Sequence, residues 1–447
     1  MASRGQFSSK LGFVMAAAGS AVGLGNIWGF PTQAAGNGGA AFVLMYLVMA
    51  FCLAYPALMA ELVIGRYARA NVVNALGAVS EKPIVHKLGM LAGGYGVLVA
   101  GLILSFYAIV AGWMLSYMLG ALADMGSLSA AKAWLTKGSL VRDLAFTATF
   151  MGLTVFVIAG GVEKGIERWS TRLMPMLIVL LVCLIIYVMT QPGAMEGLGV
   201  YLIPDFSKIF DAGLIIDAMG QAFFSLSLGV GTMLIYGSYL SHKESLPKLS
   251  GMVMAVDLSI AFLAGLLIIP AIFVAKHYGA EIYSESGTLI GGPDLIFQIL
   301  PYLFDSMGGI GVVVAFAFFL LMSIAALTSS ISMLEVPVAL VVENGHMNRP
   351  KAALLLGFII LAISAAIVLN FELLFLNVIA FTTKFSQPLL GVVMCVFVGW
   401  LWHRGKLLQE IQQGHEHIEH TLFWKIWPHY VKFVCPALIL ATFAQSL

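Results

Sequence analysis

The sequence predicts an all-α membrane protein of eleven transmembrane helices: two inverted five-helix repeats, with helices 1 and 6 broken at the membrane midplane, plus one extra helix. Three observations carry this reading. The first is composition: of 447 residues 60% are hydrophobic and 10% charged, with a mean hydropathy of +0.97, where a soluble domain carries about 25% charged residues. At about 20 apolar residues per crossing the length accommodates eleven or twelve helices and leaves no room for a separate soluble enzyme domain. The second is pattern, since runs such as LMPMLIVLLVCLIIYVM (173–189) do not alternate in polarity as barrel strands do. The third is a matched pair of interruptions, GSAVGLGN (19–26) and SLSLGVG (225–231), which set glycines and small polar residues in mid-span.

Taken in order, residues 1–10 form a short basic stub that lacks a convincing cleavage site and is expected to stay in the cytoplasm. Apolar runs then fall at 11–36, 40–69, 89–123, 144–161 and 172–191, bounded by charged or Gly/Pro-rich breaks, and make the first repeat, 11–191. The second repeat, 213–402, holds runs at 213–240, 250–275, 309–342, 352–370 and 373–402, and the eleventh helix is 422–446. Most of the 23 Lys and Arg residues fall in segments that an inside N-terminus would place in the cytoplasm. The chain is therefore expected in the inner (plasma) membrane as a multi-pass protein, N-terminus cytoplasmic and C-terminus outside. The long segment 278–306, with Glu281, Glu285, Asp294 and Asp305, is expected to cover the outer mouth.

A net charge of +1 without a basic tract excludes nucleic acid as a partner. Cys52, Cys183, Cys395 and Cys435 lie inside apolar runs without metal-ligand spacing, and read as small core side chains rather than disulfides or zinc ligands. Unwound backbone in mid-membrane exposes amides and carbonyls that hydrocarbon cannot satisfy, so it persists where it lines a cavity or binds something. Half-helix N-termini favour a carboxylate, and freed carbonyls at half-helix C-termini favour a cation. An amino-acid zwitterion with sodium suits both. Glycines that merely let helices approach closely are the alternative for either segment alone; two segments in register weigh against it.

GSAVGLGNIWGFP (19–31), VEKGIERWS (162–170), GQAFFSLSLGVG (220–231) and ALTSS (326–330) together resemble the neurotransmitter:sodium symporter family, across nearly the whole chain. The resemblance implies a sodium-coupled symporter that imports an amino acid or related zwitterion by alternating access, with no covalent chemistry. It implies two sodium sites, one formed by Gly19, Val22, Ala325, Thr328 and Ser329, the other by Ala21, Asn26, Ser225 and Asp257. Residues 325, 328 and 329 share one helix face; back-bonding of Thr328 and Ser329 to their own helix is the lesser alternative. An acid inside a membrane helix is costly and a functional candidate by default. At Asp257 chloride-dependent relatives have an amide, with a serine where this chain has Ala261, so one carboxylate takes the place of chloride, which is not expected to be required. Tyr46, Gln221 and Ser225 match the other positions of that anion site.

By the same resemblance the substrate carboxylate lies on the amides of Leu24 and Gly25 with the Tyr107 hydroxyl. The pocket comprises Ser20, Ala21, Ile103, Phe224, Ser225, Ser227, Val230, Ser329, Ser330 and Met333. Val230 stands where many relatives carry phenylalanine, which enlarges the pocket. Glu61 is expected to accept hydrogen bonds from backbone freed at the breaks, and Arg4, Phe7, Tyr239 and Glu343 match the cytoplasmic gate. The chain departs from the family at the outer gate, where Gly29 and Ile379 replace an arginine and an acid, and where Lys384 sits deep inside an apolar run, a buried position from which it would snorkel, pair with an acid or attract an anionic substrate. A proton-coupled transporter, using Asp257 or Lys384, a channel, and a receptor that binds the same ligands without moving them are the competing readings.

Overall fold

The computed structural model describes residues 5–207, 209–283, 289, 295–345 and 347–446. Among the described residues eight helices are long and apolar enough to cross a membrane, and Lys10–Ala21 with Gly25–Gly36, bent by 55°, are so together as a broken ninth. The others are Ala40–Ala68, Pro83–Met125, Leu140–Ala159, Val162–Met189, Leu246–His277, Gly309–Glu343, Arg349–Leu369 and Phe371–Leu401. Ala212–Ser225 and Thr232–Gly237 stand at the place of the sixth span. Leu422–His429, Tyr430–Val434 and Cys435–Ser446 stand at that of the eleventh. The arrangement is consistent with the expected eleven.

Side-chain caps begin several of these helices by occupying otherwise orphaned backbone amides. Ser9 accepts from Gly12 in the first span, Ser139 from Arg142 in the fourth, Asp211 from Gly213 and Leu214 in the sixth, and Asn348 from Lys351 in the ninth. The fifth span starts ten residues before the apolar run, at Val162, because Gly161 turns the chain with φ +82° and the charged VEKGIE segment winds as a π-helical turn. Glu167 in that turn is buried and receives the Ser8 amide (2.7 Å) and the Ser8 and Ser9 hydroxyls (2.7 and 2.9 Å), which ties down the start of the chain.

The segment Lys10–Ala21 of the first span lies against the fifth, seventh and eighth spans, and the third runs along the eighth. The two halves of the sixth span pack against the second, with the eighth and the eleventh beside them, so both broken spans are enclosed by other spans. This enclosure allows irregular backbone at membrane depth, since its polar groups face protein instead of lipid.

Candidate functional site

After Ala21 the backbone turns extended at Val22 (φ −71°, ψ 105°) before rewinding as a π-helical turn over Gly25–Gly29. The Ser329 hydroxyl lies 3.4, 3.2 and 3.1 Å from the carbonyls of Gly19, Ser20 and Val22. Beside it the Thr328 hydroxyl donates to Ala325 O (3.0 Å) and Ile324 O (3.2 Å) of its own helix. A Cβ on Gly19 would lie 3.2 Å from the Thr328 Cβ, so these two positions face one another. The five oxygen-bearing residues expected together are together. Back-bonding spends the Thr328 proton and leaves oxygen lone pairs available to a cation.

A second polar cluster joins the break to the sixth and seventh spans. Asn26, Tyr46, Ser225 and Asp257 are all buried. The Asn26 amide nitrogen donates to Asp257 Oδ1 (2.7 Å) and Ser225 Oγ (3.0 Å), while Ser225 Oγ donates to Asp257 Oδ2 (2.9 Å). Tyr46 donates to Ser225 (3.2 Å), and Gln221 Nε2 to Gly25 O (2.8 Å). The Asn26 NH2 end, not its oxygen, faces the carboxylate, so coordination through Oδ1 requires the amide to turn over. Among the described residues no group of three or more His, Cys, Asp or Glu is placed to hold a metal ion. Both clusters are instead mainly neutral oxygens, the donor set of a hard alkali cation.

Between the clusters is a cavity lined by Ala21, Gly23, Leu24, Gly25, Ile103, Phe106, Tyr107, Phe224, Ser225, Ser227, Val230, Ser329, Met333 and Gln387. Two residues expected in this lining turn elsewhere: Ser20 donates to Ser332 (2.7 Å), and Ser330 pairs with Thr154 of the fourth span (2.9 Å). Phe106, Gly23 and Gln387 join it without having been singled out, Phe106 and Gln387 because they neighbour Tyr107 or approach the sixth-span break. The Leu24 amide donates to the Tyr107 hydroxyl at 3.2 Å, so the proposed carboxylate donors already sit side by side. A Cβ on Gly23 would lie 2.4 Å from Ser329 Oγ and 2.7 Å from Tyr107 OH, hence glycine there.

The sixth-span break is made by left-handed backbone at Ser227 (φ 51°), Gly229 (90°) and Gly231 (82°). Glu61, buried in the second span, takes the freed Gly229 amide at 2.6 Å, the structural role expected of it.

On the side where the chain starts, Phe7 packs edge-on against Phe13, Tyr236 and Tyr239 at 5.5, 5.7 and 6.3 Å between ring centroids. Glu343 accepts from the Asn71 amide (2.6 Å); Arg4, the other expected gate residue, lies outside the described residues. Sequence reasoning missed Glu335, fully buried in the eighth span, which receives the Tyr239 hydroxyl and a bidentate pair from Arg349 at 2.7 and 3.0 Å. The signal was an acid in mid-run, the same signal that marked Asp257.

At the opposite end Phe297 docks between Trp113 and Tyr117 of the third span (5.6 and 5.3 Å), and Trp113 meets Phe371 and Phe375 of the tenth (both 5.8 Å). Gly29 faces Gln221, with 3.5 Å between a notional Cβ and the amide oxygen. Glu285 and Asp294 of the outer segment lie outside the described residues. Lys384 corrects an expectation: it is exposed, beside the exposed rings of Phe381 and Phe385. An apolar run reveals a span, not which of its faces is covered.

A family model described as the sodium:neurotransmitter symporter family matches residues 4–139 and 127–447. An uncharacterized sodium-dependent transporter of Bacillus subtilis is 34% identical over 462 residues, covering 99% of this chain and 97% of that protein. The sodium-dependent serotonin transporter of Drosophila melanogaster is 26% identical over 99% of this chain and 76% of its own length. The crystal structure of MhsT in complex with L-phenylalanine superposes with a TM-score of 0.83 at 36% identity, covering 99% of this chain and all of that one. The chain thus belongs to the sodium:neurotransmitter symporter family and is a sodium-dependent membrane transporter, not an enzyme.

Proposed function

We propose that this protein couples the inward movement of sodium to that of an amino acid with a large apolar side chain, by alternating access and without chloride. One observation carries the reading. Two oxygen-rich clusters flank a single cavity at paired helix breaks, and that cavity combines the Leu24 amide and Tyr107 hydroxyl at one end with Ile103, Phe106, Val230 and Met333 as apolar lining. The polar end matches a carboxylate and the apolar lining matches an aromatic or branched side chain. MhsT, whose structure holds L-phenylalanine, supports that substrate class.

In this reading Gly19, Val22, Ala325, Thr328 and Ser329 take one sodium, and Ala21, Asn26, Ser225 and Asp257 the other. The Asp257 carboxylate supplies the negative charge that chloride supplies in relatives with an amide there. The N-terminus faces the cytoplasm and the C-terminus the outside. Proteoliposomes loaded with unlabelled phenylalanine should exchange it for external labelled phenylalanine, and net uptake should require an inward sodium gradient at fixed pH. Binding without counterflow would make the protein a receptor, and uptake driven by a proton gradient in potassium would reassign the coupling ion.

A further inference from the structure

A second cavity, of about 670 Å3, lies far along the chain from the transport site, where the ends of the tenth and eleventh spans meet the loop after the second. Lys82, Arg404, Lys406 and Lys432 line it against a single acid, Glu81. That acid is taken by Lys406 at 2.6 Å, and among the described residues no carboxylate is within ion-pair distance of Lys82, Arg404 or Lys432. Aromatic rings hold the latter two instead. The Lys432 ammonium lies 4.4 Å from the Trp400 ring centre and the Arg404 guanidinium 5.6 Å from that of Trp424. Such contacts position a cation without neutralising it. Gly399 lets the two spans close on each other, since a Cβ there would lie 2.6 Å from the Lys432 Cα.

A second observation points to a ligand. Trp400, in the cavity wall, and Phe433 beside it are 55% and 53% exposed and stack edge-on at 5.3 Å. Exposed aromatics beside a cationic rim are the arrangement of the membrane–water interface, so acyl chains can run down this surface while a headgroup sits in the cavity.

We propose that this cavity binds the phosphate headgroup of an anionic phospholipid. The recognising chemistry is a phosphate ester taken by Arg404, Lys432 and Lys82. Basic pockets between membrane helices hold such headgroups. Assignment to the cytoplasmic leaflet rests on the orientation proposed above, whereas the binding does not, and its test is independent of transport.

The full chain, purified in detergent, would be incubated with phosphatidylglycerol or phosphatidylcholine of matched acyl chains and retained lipid measured by native mass spectrometry. Phosphatidylglycerol should be retained at least about tenfold over phosphatidylcholine. The double variant Arg404→Gln, Lys432→Gln should lower that retention by about tenfold or more, with sodium-induced stabilisation unchanged. Lys82→Gln serves as a second charge variant should the double variant not be monodisperse. Equal retention of the two lipids, or parent-like retention in the charge variants, overturns the proposal. So does displacement of phosphatidylglycerol by equimolar inorganic phosphate, which would make the cavity a free-anion site.

Discussion

Ser329 and Thr328 show how much of a cation site is prepared by side-chain chemistry alone. In the structure the Ser329 proton is shared among three carbonyls of the first break, and the same oxygens would turn to a cation. Thr328→Val with Ser329→Ala removes two oxygens while preserving volume. The rise in apparent Tm on adding sodium should then shrink by several degrees, because stabilisation follows occupancy; an unchanged sodium response would remove this site. Asp257 accepts from both Asn26 and Ser225, the place where a negative charge is needed. Uptake should therefore persist when gluconate replaces chloride, and Asp257→Asn with Ala261→Ser should make it chloride-responsive. Strict chloride dependence of the parent protein would contradict this assignment. Lys384 stands exposed on the tenth span, beside Phe381 and Phe385, and is not part of the lining of the transport cavity. Lys384→Met should thus keep sodium-induced stabilisation and lose little Tm, and a large ligand-independent loss would show a structural role.

The broken spans depend on backbone that only particular residues tolerate. At Gly229 the φ of +90° and a notional Cβ only 2.4 Å from the Gln387 carbonyl leave no room for a side chain. Gly229→Ala should cost about 1–3 kcal/mol in strain beyond the clash itself, read as a lower Tm with and without ligand. Glu61→Gln, by contrast, leaves an acceptor for the Gly229 amide and should be milder. Closure at the outer end uses the helix Leu300–Ser306 and the turn before it, pinned by Phe297 among Trp113 and Tyr117. Its charged contact, Lys132 with Asp124 (2.9 Å) and Asp305 (3.1 Å), is partly exposed and weak beside the aromatic packing. Phe297→Ala should therefore speed substrate release several-fold, while raising potassium chloride from 0.1 to about 1 M, where the Debye length is about 3 Å, should leave release nearly unchanged. Strong salt acceleration would shift the weight to the ion pair.

Across the whole molecule the two ends of the transport path are sealed by different physics. The outer end closes on rings, in keeping with Gly29 and Ile379 having lost the family's charged pair together. The inner end closes on Tyr239, Glu335 and Arg349, where the buried carboxylate is held bidentately. Removing Arg349, itself partly exposed, strands the fully buried Glu335 carboxylate, at a cost below the ~3–5 kcal/mol of a fully buried pair. Arg349→Met should thus bias the protein toward an inward-open state, seen as faster labelling of a cysteine placed at Ser20 from the inner side. Labelling at the parent rate would show that Phe7 and its ring neighbours hold the seal without the pair.

Composition and uninterrupted apolar runs determined that the chain is a helical membrane protein, because burial in hydrocarbon is a property of each segment by itself. The glycine strings at 19–26 and 225–231 likewise marked both breaks, since Gly23, Gly229 and Gly231 leave no room for a Cβ. What each polar side chain faces was decided by tertiary packing. Ser20 and Ser330 fit the pocket by position but turn to Ser332 and Thr154. Lys384 fits a buried cation by context yet stands at the surface, and Glu335, overlooked in an apolar run, anchors the inner seal. Rotation about a helix axis is fixed by neighbours that lie hundreds of residues away, and a single span contains no record of which neighbour covers which face.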